Sequence, residues 1–219
     1  MRVLVYGDSN SWGFLDDGLR QRCEKRWPVV MAEHSPGLVL IEECLSGRTT
    51  NVPDPVMGAY VDGSAPLLAI LRSHQPIDRM LIMLGTNDLK ARFDRSAHAI
   101  VDGLMALSDE VSASEIWPAD HPSGSVGSRL GFIAPPVLGA RADDPNWPHA
   151  EEWREGRARS MALPGVLEAA CTARGHLFFD GNRGAASSDI DPIHWDVPTH
   201  EKMGRTVARW FAEAAAVKP

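Results

Sequence analysis

Cysteine is scarce in this sequence: the 219 residues include only Cys23, Cys44 and Cys171. Because their number is odd and their spacings match no metal-ligand pattern, we expect neither a disulfide framework nor a zinc site. The first apolar run is too short for the core of a signal peptide. Reduced thiols and this missing leader together predict a cytoplasmic location.

Long hydrophobic runs and an excess of positive charge are also missing. No apolar stretch approaches the roughly 20 residues that cross a bilayer, and no basic amphipathic stretch suits a membrane surface. The 22 basic residues are outnumbered by 29 acidic ones, which gives a formal net charge of -7. Since phosphate contacts need a concentrated basic surface, the composition argues against nucleic-acid and membrane partners.

The remaining composition is that of an ordinary globular protein, 44% hydrophobic and 23% charged. A chain of this length can form one full core, so we predict a single domain over residues 1–219. Five short apolar runs have the length of strands, at 3–6, 38–41, 80–84, 130–134 and 177–179. Segments with helical spacing alternate with them, at 25–33, 64–73, 97–111, 152–172 and 199–216. This alternation predicts an α/β fold, a three-layer α/β/α sandwich with a central, mainly parallel five-stranded sheet.

Two stretches do not follow this alternation. Residues 118–128 are rich in Pro, Gly and Ser, and residues 135–153 carry several prolines together with Trp147 and Trp153. We expect both to be loops or lid segments near the functional site. Surface insertions with incidental aromatic residues would have the same composition.

Gly7, Asp8 and Ser9 follow the first apolar run directly. A serine at a strand-to-helix turn can expose its hydroxyl while its own backbone N–H faces a developing oxyanion. Gly7 would allow a tight turn, and Asp8 can hold the loop by accepting hydrogen bonds from backbone N–H groups. The same tripeptide also occurs in plain turns, so on its own it does not establish catalysis.

Three later blocks occupy comparable positions. Gly47 follows the second run, where its bare N–H can approach a substrate oxygen, unless it is a plain turn glycine. Asn87 follows the third run, where its amide can donate into the same crevice as Ser9 or simply cap a turn. Asp191 and His194 lie three positions apart before the last helix. There the carboxylate can orient the imidazole towards a serine, although such pairs are also common at protein surfaces.

All four blocks fall at the C-terminal ends of predicted strands or just before the last helix. Such a placement of all four blocks by chance is improbable. In this arrangement the sequence resembles the SGNH hydrolase family, also called GDSL-like lipases and esterases, over nearly its whole length. The strings that most resemble its arylesterase and acyltransferase branch are Gly-Asp-Ser-x-x-Trp-Gly, Ile-Glu-Glu-x-Leu-Ser-x-Arg-Thr-Thr and Ile-Met-Leu-Gly-Thr-Asn-Asp.

The resemblance implies a serine esterase for short-chain carboxylic esters, with acyl transfer to alcohols as a related activity. It assigns Ser9 as the nucleophile, His194 as the general base and Asp191 as the partner that orients the imidazole. It also assigns Ser9, Gly47 and Asn87 as oxyanion donors. It implies a homo-oligomer whose contacts restrict the pocket mouth, and a mechanism that needs neither a metal nor any other cofactor.

One departure from the family's last block is Pro192, which stands where that block has a glycine. Proline fixes φ at a value that turns accept, so we expect the contact between Asp191 and His194 to remain.

Further candidates for the substrate pocket are Asp8, Trp12, Trp147, Trp153 and Trp195, although core or interface positions would explain the tryptophans equally well. The sequence leaves two other functions open. One is a carbohydrate O-acetyl esterase that uses the same site. The other is a non-catalytic flavodoxin-like module that binds flavin or nucleotide phosphate at residues 7–13. The second is disfavoured because this loop lacks a Gly-x-x-x-x-Gly-Lys cradle, and a binding module needs no late Asp-His pair.

Overall fold

Five parallel strands form the central sheet in a computed structural model, which describes residues 1–117 and 129–216. The strands are β1 (Arg2–Gly7), β2 (Val39–Cys44), β3 (Arg79–Met83), β4 (Leu130–Ala134) and β5 (Leu177–Asp180). Strands β3 and β4 are buried along their whole length. Burial on both faces is the reason that such strands read as continuous apolar runs rather than as alternating patterns. The predicted parallel five-stranded sheet is confirmed.

Six α-helices occur in the part of the chain that the structure describes. They are α1 (Ser9–Trp12), α2 (Trp27–Glu33), α3 (Leu67–His74), α4 (Ala97–Ala113), α5 (Gly156–Arg174) and α6 (Val197–Ala216). Five of them match the predicted segments to within about one turn at each end. Helix α1 was not predicted, because four residues are too few to show a helical period. None of these helices is long and apolar enough to span a membrane.

The helices cover both faces of the sheet, which confirms the three-layer arrangement. Helices α2 and α6 pack on one face, where Trp27 and Met203 are fully buried against β1 residues such as Val5. Helices α3, α4 and α5 cover the other face, where Leu104 and Leu163 join the core. Because side chains alternate along a strand, neighbouring residues of β1 supply the two separate cores.

In the strand order β2-β1-β3-β4-β5, successive strands are added first on one side of β1 and then on the other. The chain first places β2 on one side of β1 and then crosses to place β3 on the other side. Gly7 at the end of β1 pairs with Cys44 at the end of β2 and with Met83 at the end of β3. In open parallel sheets, ligands bind outside the carboxyl ends of the strands at such a reversal. The loops after β1, β2 and β3 therefore meet at one edge.

The predicted loop at 135–153 contains one 3-10 helix, Ala140–Asp143, and otherwise neither helix nor strand. Within it, Arg141 Nη1 donates a hydrogen bond to the backbone oxygen of Ile190 at 2.6 Å. This contact joins the loop to the segment that carries Asp191. The second predicted loop, 118–128, lies outside the described residues.

Candidate active site

Ser9 is the first residue of α1 and follows β1 after a single intervening residue. That residue, Asp8, caps the helix by accepting a hydrogen bond from the Asn10 N–H at 3.1 Å. At the other end, the Gly13 N–H donates to the Ser9 carbonyl at 2.9 Å. Since both ends of this short helix are held, the Ser9 hydroxyl has a fixed position at the carboxyl edge of the sheet.

Gly7 is required for a reason different from the predicted one. Its φ lies outside the left-handed region that favours glycine. A Cβ atom at this position would instead lie 2.2 Å from the Ser11 Oγ atom, far inside any permitted contact. Gly7 thus allows α1 to approach the end of β1 closely.

His194 and Asp191 meet Ser9 across 185 positions of sequence. The His194 Nε2 atom lies 3.0 Å from Ser9 Oγ, and Nδ1 lies 2.7 Å from Asp191 Oδ2. The Phe14 ring packs against the imidazole with 4.5 Å between the ring centroids. The three side chains thus lie together, as the sequence led us to expect. Their order is hydroxyl, imidazole and carboxylate, which is the order that general-base activation of a serine requires.

Both carboxylate oxygens of Asp191 have hydrogen-bond donors. Oδ2 contacts the imidazole, and Oδ1 accepts from the N–H groups of Ile193 at 2.8 Å and His194 at 3.2 Å. Burial acts to raise the pKa of Asp191, but the hydrogen bond and charge of His194, with these N–H groups, lower it below its ordinary value. The carboxylate is thus ionised at neutral pH. Pro192 leaves this contact intact, as predicted.

Gly47 and Asn87 line the same cavity as Ser9 and His194. Gly47 has φ of +87°, a backbone conformation that residues with a Cβ rarely adopt, so the position favours glycine; an added Cβ would also displace the flexible end of Met57, whose Cε lies 2.4 Å away. One amide hydrogen of Asn87 is donated to a backbone carbonyl, that of Arg48, at 3.0 Å. A primary amide carries two such hydrogens, so the second can serve a ligand.

Asp88 had no role assigned from the sequence, but it fixes the two loops that carry Gly47 and Asn87. This fully buried carboxylate accepts from the Thr50 N–H at 3.0 Å, from the Thr50 hydroxyl at 2.6 Å and from Arg95 Nη1 at 2.8 Å. Burial raises the pKa of Asp88, while the Thr50 and Arg95 donors lower it. The contacts tie the loop after β2 to the loop after β3.

The cavity has a volume of about 490 Å³, and of the predicted pocket candidates Trp147 and Trp153 line it. The assignments of Asp8, Trp12 and Trp195 to the pocket were wrong. Trp195 is fully buried in the core under α6. Adjacent residues of a chain point in different directions, so a position next to Ser9 or His194 does not place a side chain in their cavity.

The other two incorrect candidates have different surroundings. Asp8 is completely buried beneath α1, where it serves as the helix cap. Burial raises the pKa of Asp8 to about 6, against the lowering effect of the Asn10 N–H and of Thr86. Trp12 is half-buried outside the cavity, with the Arg22 guanidinium 5.6 Å from its ring centroid.

The cavity is also lined by residues that sequence reasoning missed, among them Phe14, Met57, Lys90, Glu152 and Ile193. The position of Lys90 could have been predicted from its spacing. It lies three positions after Asn87, directly after the 3-10 helix Asn87–Leu89. Residues at this spacing share one side of such a helix. Phe14, Met57 and Glu152 lie in irregular segments, where no periodic pattern indicates the direction of a side chain.

Comparison with solved structures decides the family. A carbohydrate acetylesterase from Sinorhizobium meliloti is 32% identical in sequence, with a TM-score of 0.84, and the alignment covers 97% of this chain and 98% of that one. The chain belongs to the SGNH hydrolase family. An aryl esterase from M. smegmatis is 29% identical over 97% of this chain and 99% of its own, with a TM-score of 0.85. No family model and no curated protein matches the sequence.

A more distant structure shares the SGNH hydrolase fold alone. The lipase/acylhydrolase from Enterococcus faecalis is 18% identical, with a TM-score of 0.64 over 100% of this chain and 98% of that one. The resemblance to the arylesterase branch of the SGNH hydrolases is confirmed by the carbohydrate acetylesterase and aryl esterase neighbours instead.

Proposed function

We propose that this SGNH hydrolase is a serine esterase that cleaves short-chain carboxylic esters through an acyl-enzyme on Ser9. Its family makes it a carboxylic ester hydrolase. One observation supports the finer mechanism: the 3.0 Å contact between Ser9 Oγ and His194 Nε2, with Asp191 bound to the other ring nitrogen.

In the first step, His194 Nε2 takes the proton of the Ser9 hydroxyl while Oγ attacks the carbonyl carbon of the ester. The N–H groups of Ser9 and Gly47 and the amide of Asn87 stabilise the negative charge on the former carbonyl oxygen. Asp191 accepts the Nδ1 hydrogen and thereby keeps Nε2 free to act as the base. The C–O bond to the alcohol then breaks, and the alcohol leaves with the proton from Nε2.

In the second step, water attacks the acyl-enzyme, and His194 again serves as the base. The C–O bond to Ser9 breaks, Ser9 regains its proton and the carboxylic acid is released. An alcohol in place of water would give acyl transfer, and the apolar lining by Phe14, Trp153 and Ile193 would favour it by lowering access of water. The yield of transferred ester at increasing alcohol concentration measures this partition.

A second candidate substrate class is acetylated carbohydrate. The Sinorhizobium meliloti neighbour is a carbohydrate acetylesterase, and Trp147 and Trp153 line the cavity of this chain. Initial rates on acetylated sugars and on simple acetate esters of equal reactivity would separate the two. A higher kcat/KM on the sugars would favour the carbohydrate esterase.

Labelling with a fluorophosphonate probe tests the nucleophile directly. We expect one label on the wild-type chain, at Ser9, and loss of both label and 4-nitrophenyl acetate hydrolysis in Ser9→Ala with an unchanged melting temperature. Ser11→Ala is a matched control, because Ser11 lies buried in the same short helix and does not line the cavity. Turnover by Ser9→Ala at the wild-type rate, or labelling elsewhere, would refute the proposal.

A further inference from the structure

A buried lysine faces the same cavity as the candidate triad. The Lys90 side chain is 7% exposed and lines the cavity with Ser9 and His194. It directly follows the 3-10 helix Asn87–Leu89 as its C-cap, and Asn87 lines the same cavity. A cationic group therefore faces the same cavity as the proposed oxyanion donor Asn87.

The position of this turn depends on backbone contacts rather than on the charge of Lys90. The Leu89 carbonyl accepts a hydrogen bond from Arg159 Nη2 at 2.8 Å. On the other side of Lys90, the Ala91 N–H donates to the Glu152 carbonyl at 2.7 Å. These bonds do not involve the ammonium group, so a change of the Lys90 side chain leaves the anchors of the turn in place.

Among the described residues, the ammonium group of Lys90 makes only long contacts. Its Nζ atom lies 3.7 Å from Glu152 Oε1, beyond the usual hydrogen-bond distance of at most about 3.2 Å. Its other contacts are Met57 Sδ at 4.0 Å, a weak acceptor, and the Trp153 ring, whose centroid is 5.5 Å away. An ammonium has three hydrogens to donate, and residues 1–117 and 129–216 offer them no close, strong acceptor in this buried place.

The nearby carboxylates are held by another cation. Arg92 binds Asp54 at 2.7 Å and Glu152 at 2.8 Å. Burial lowers the pKa of Lys90, and the charge of Arg92 acts in the same direction, while Glu152 and Asp54 raise it. A second cationic side chain, Arg20, also lines the cavity. The cavity lining thus includes two cationic side chains, Lys90 and Arg20.

We propose that Lys90 is a specificity-determining residue that binds a carboxylate carried by the ester substrate. This inference rests on the esterase function proposed above. A substrate carboxylate would give the ammonium the short, charge-assisted hydrogen bonds that Glu152 at 3.7 Å does not supply. Esters of a hydroxybenzoic acid whose own carboxylate remains free belong to this class.

A matched pair of substrates isolates the charge. 4-Acetoxybenzoate and its methyl ester contain the same phenyl acetate and differ in the free carboxylate. We expect the ratio of kcat/KM for the acid to that for the methyl ester to fall about ten- to hundredfold in Lys90→Met, which keeps the length of the side chain. Lys90→Arg should keep most of the ratio. An unchanged ratio in Lys90→Met would overturn the inference, because both substrates would then depend on Lys90 equally.

Glu152→Gln provides a test with the opposite sign. It removes the negative charge that competes for Lys90 and repels an anionic substrate, so the same ratio should rise. Lys202→Met is the control, since Lys202 is exposed on α6 and the substitution changes the net charge equally. If Lys202→Met lowered the ratio as much as Lys90→Met does, the effect would belong to the overall charge, and the inference would be wrong.

A binding measurement separates this inference from the esterase proposal. In Ser9→Ala, calorimetry would compare the binding affinities of 4-hydroxybenzoate and methyl 4-hydroxybenzoate. This measurement does not depend on turnover. We expect the acid to bind more tightly and to lose about ten- to hundredfold in affinity when Lys90→Met is added. A failed esterase proposal would leave this result intact, whereas equal affinity with and without Lys90 would overturn the inference alone.

Discussion

Replacing Asp191 by asparagine keeps the shape of the side chain but removes one of its two acceptors. At present Oδ1 accepts from the N–H groups of Ile193 and His194, while Oδ2 accepts from the imidazole. The single oxygen of an asparagine can occupy only one of these places. The NH₂ group must occupy the other.

The structure decides which orientation is favoured. With the oxygen in the place of Oδ1, the two backbone bonds remain and the NH₂ group faces His194 Nδ1. The imidazole must then carry its hydrogen on Nε2 and cannot take the proton of Ser9. The opposite orientation loses two bonds of about 1 kcal/mol each, which leaves the productive tautomer about thirtyfold less populated. The asparagine also lacks the negative charge beside the imidazolium, which lowers kcat further. In serine protease triads such a change lowers kcat roughly ten-thousandfold.

The assay is the hydrolysis of 4-nitrophenyl acetate, with kcat measured beside a thermal unfolding curve. Asp189→Asn is the matched control, because Asp189 is exposed in the same loop and its backbone carbonyl, not its carboxylate, binds Arg141. We expect a fall in kcat of between about thirty- and ten-thousandfold for Asp191→Asn and none for Asp189→Asn. A folded Asp191→Asn enzyme within tenfold of the wild-type rate would refute this account of the tautomer.

Three further predictions follow from the same geometry. Asn87→Ala should lower kcat about a hundredfold or more in steady-state kinetics, and an effect on KM alone would contradict its role as an oxyanion donor. Gly47→Ala should lower the melting temperature, because its φ of +87° is strained for a residue with a Cβ, whereas Gly165→Ala, with no positive φ and no atom within 4 Å, should not. Asp8→Asn should change the pH dependence of stability. The pKa of Asp8 is raised from 3.8 to about 6, so ionisation costs the folded state about 3 kcal/mol as pH rises between these values. In urea unfolding from pH 4 to 7, the wild type should lose about this much stability relative to Asp8→Asn; parallel curves would refute it.

The sequence predicted the layers and the place of the site because both depend on simple periodic features. Buried strands such as β3 read as uninterrupted apolar runs. Alternation with helical segments then requires parallel strands, whose carboxyl ends share one edge. It follows that Ser9 after β1 and Asn87 after β3 must lie at the same edge of the sheet, and the observed strand order makes β1 and β3 neighbours.

Side-chain direction in irregular segments could not be predicted in this way. Trp195 follows His194 directly, yet its ring is buried in the core while the imidazole faces the cavity. Asp8 precedes Ser9 and turns under the helix as its cap. In a strand or helix the backbone period fixes which neighbours share a side. In a loop the direction follows from tertiary contacts, which one sequence does not contain.

Ser9 follows β1 and His194 lies between β5 and α6, so the sheet alone does not set the distance between these two groups, which are proposed to exchange a proton. Strands lie nearly 5 Å apart, whereas proton transfer needs hydrogen-bond distance between Ser9 and His194. A shorter connection supplies the difference: the Asn10 amide donates to the Ile193 carbonyl at 3.1 Å. Asn10 is one position after Ser9, and Ile193 is one position before His194. This hydrogen bond therefore joins the two loops one position away from Ser9 and His194, whose Oγ and Nε2 atoms lie 3.0 Å apart, and the Asp16 N–H adds a second link by donating to the Trp195 carbonyl at 3.2 Å.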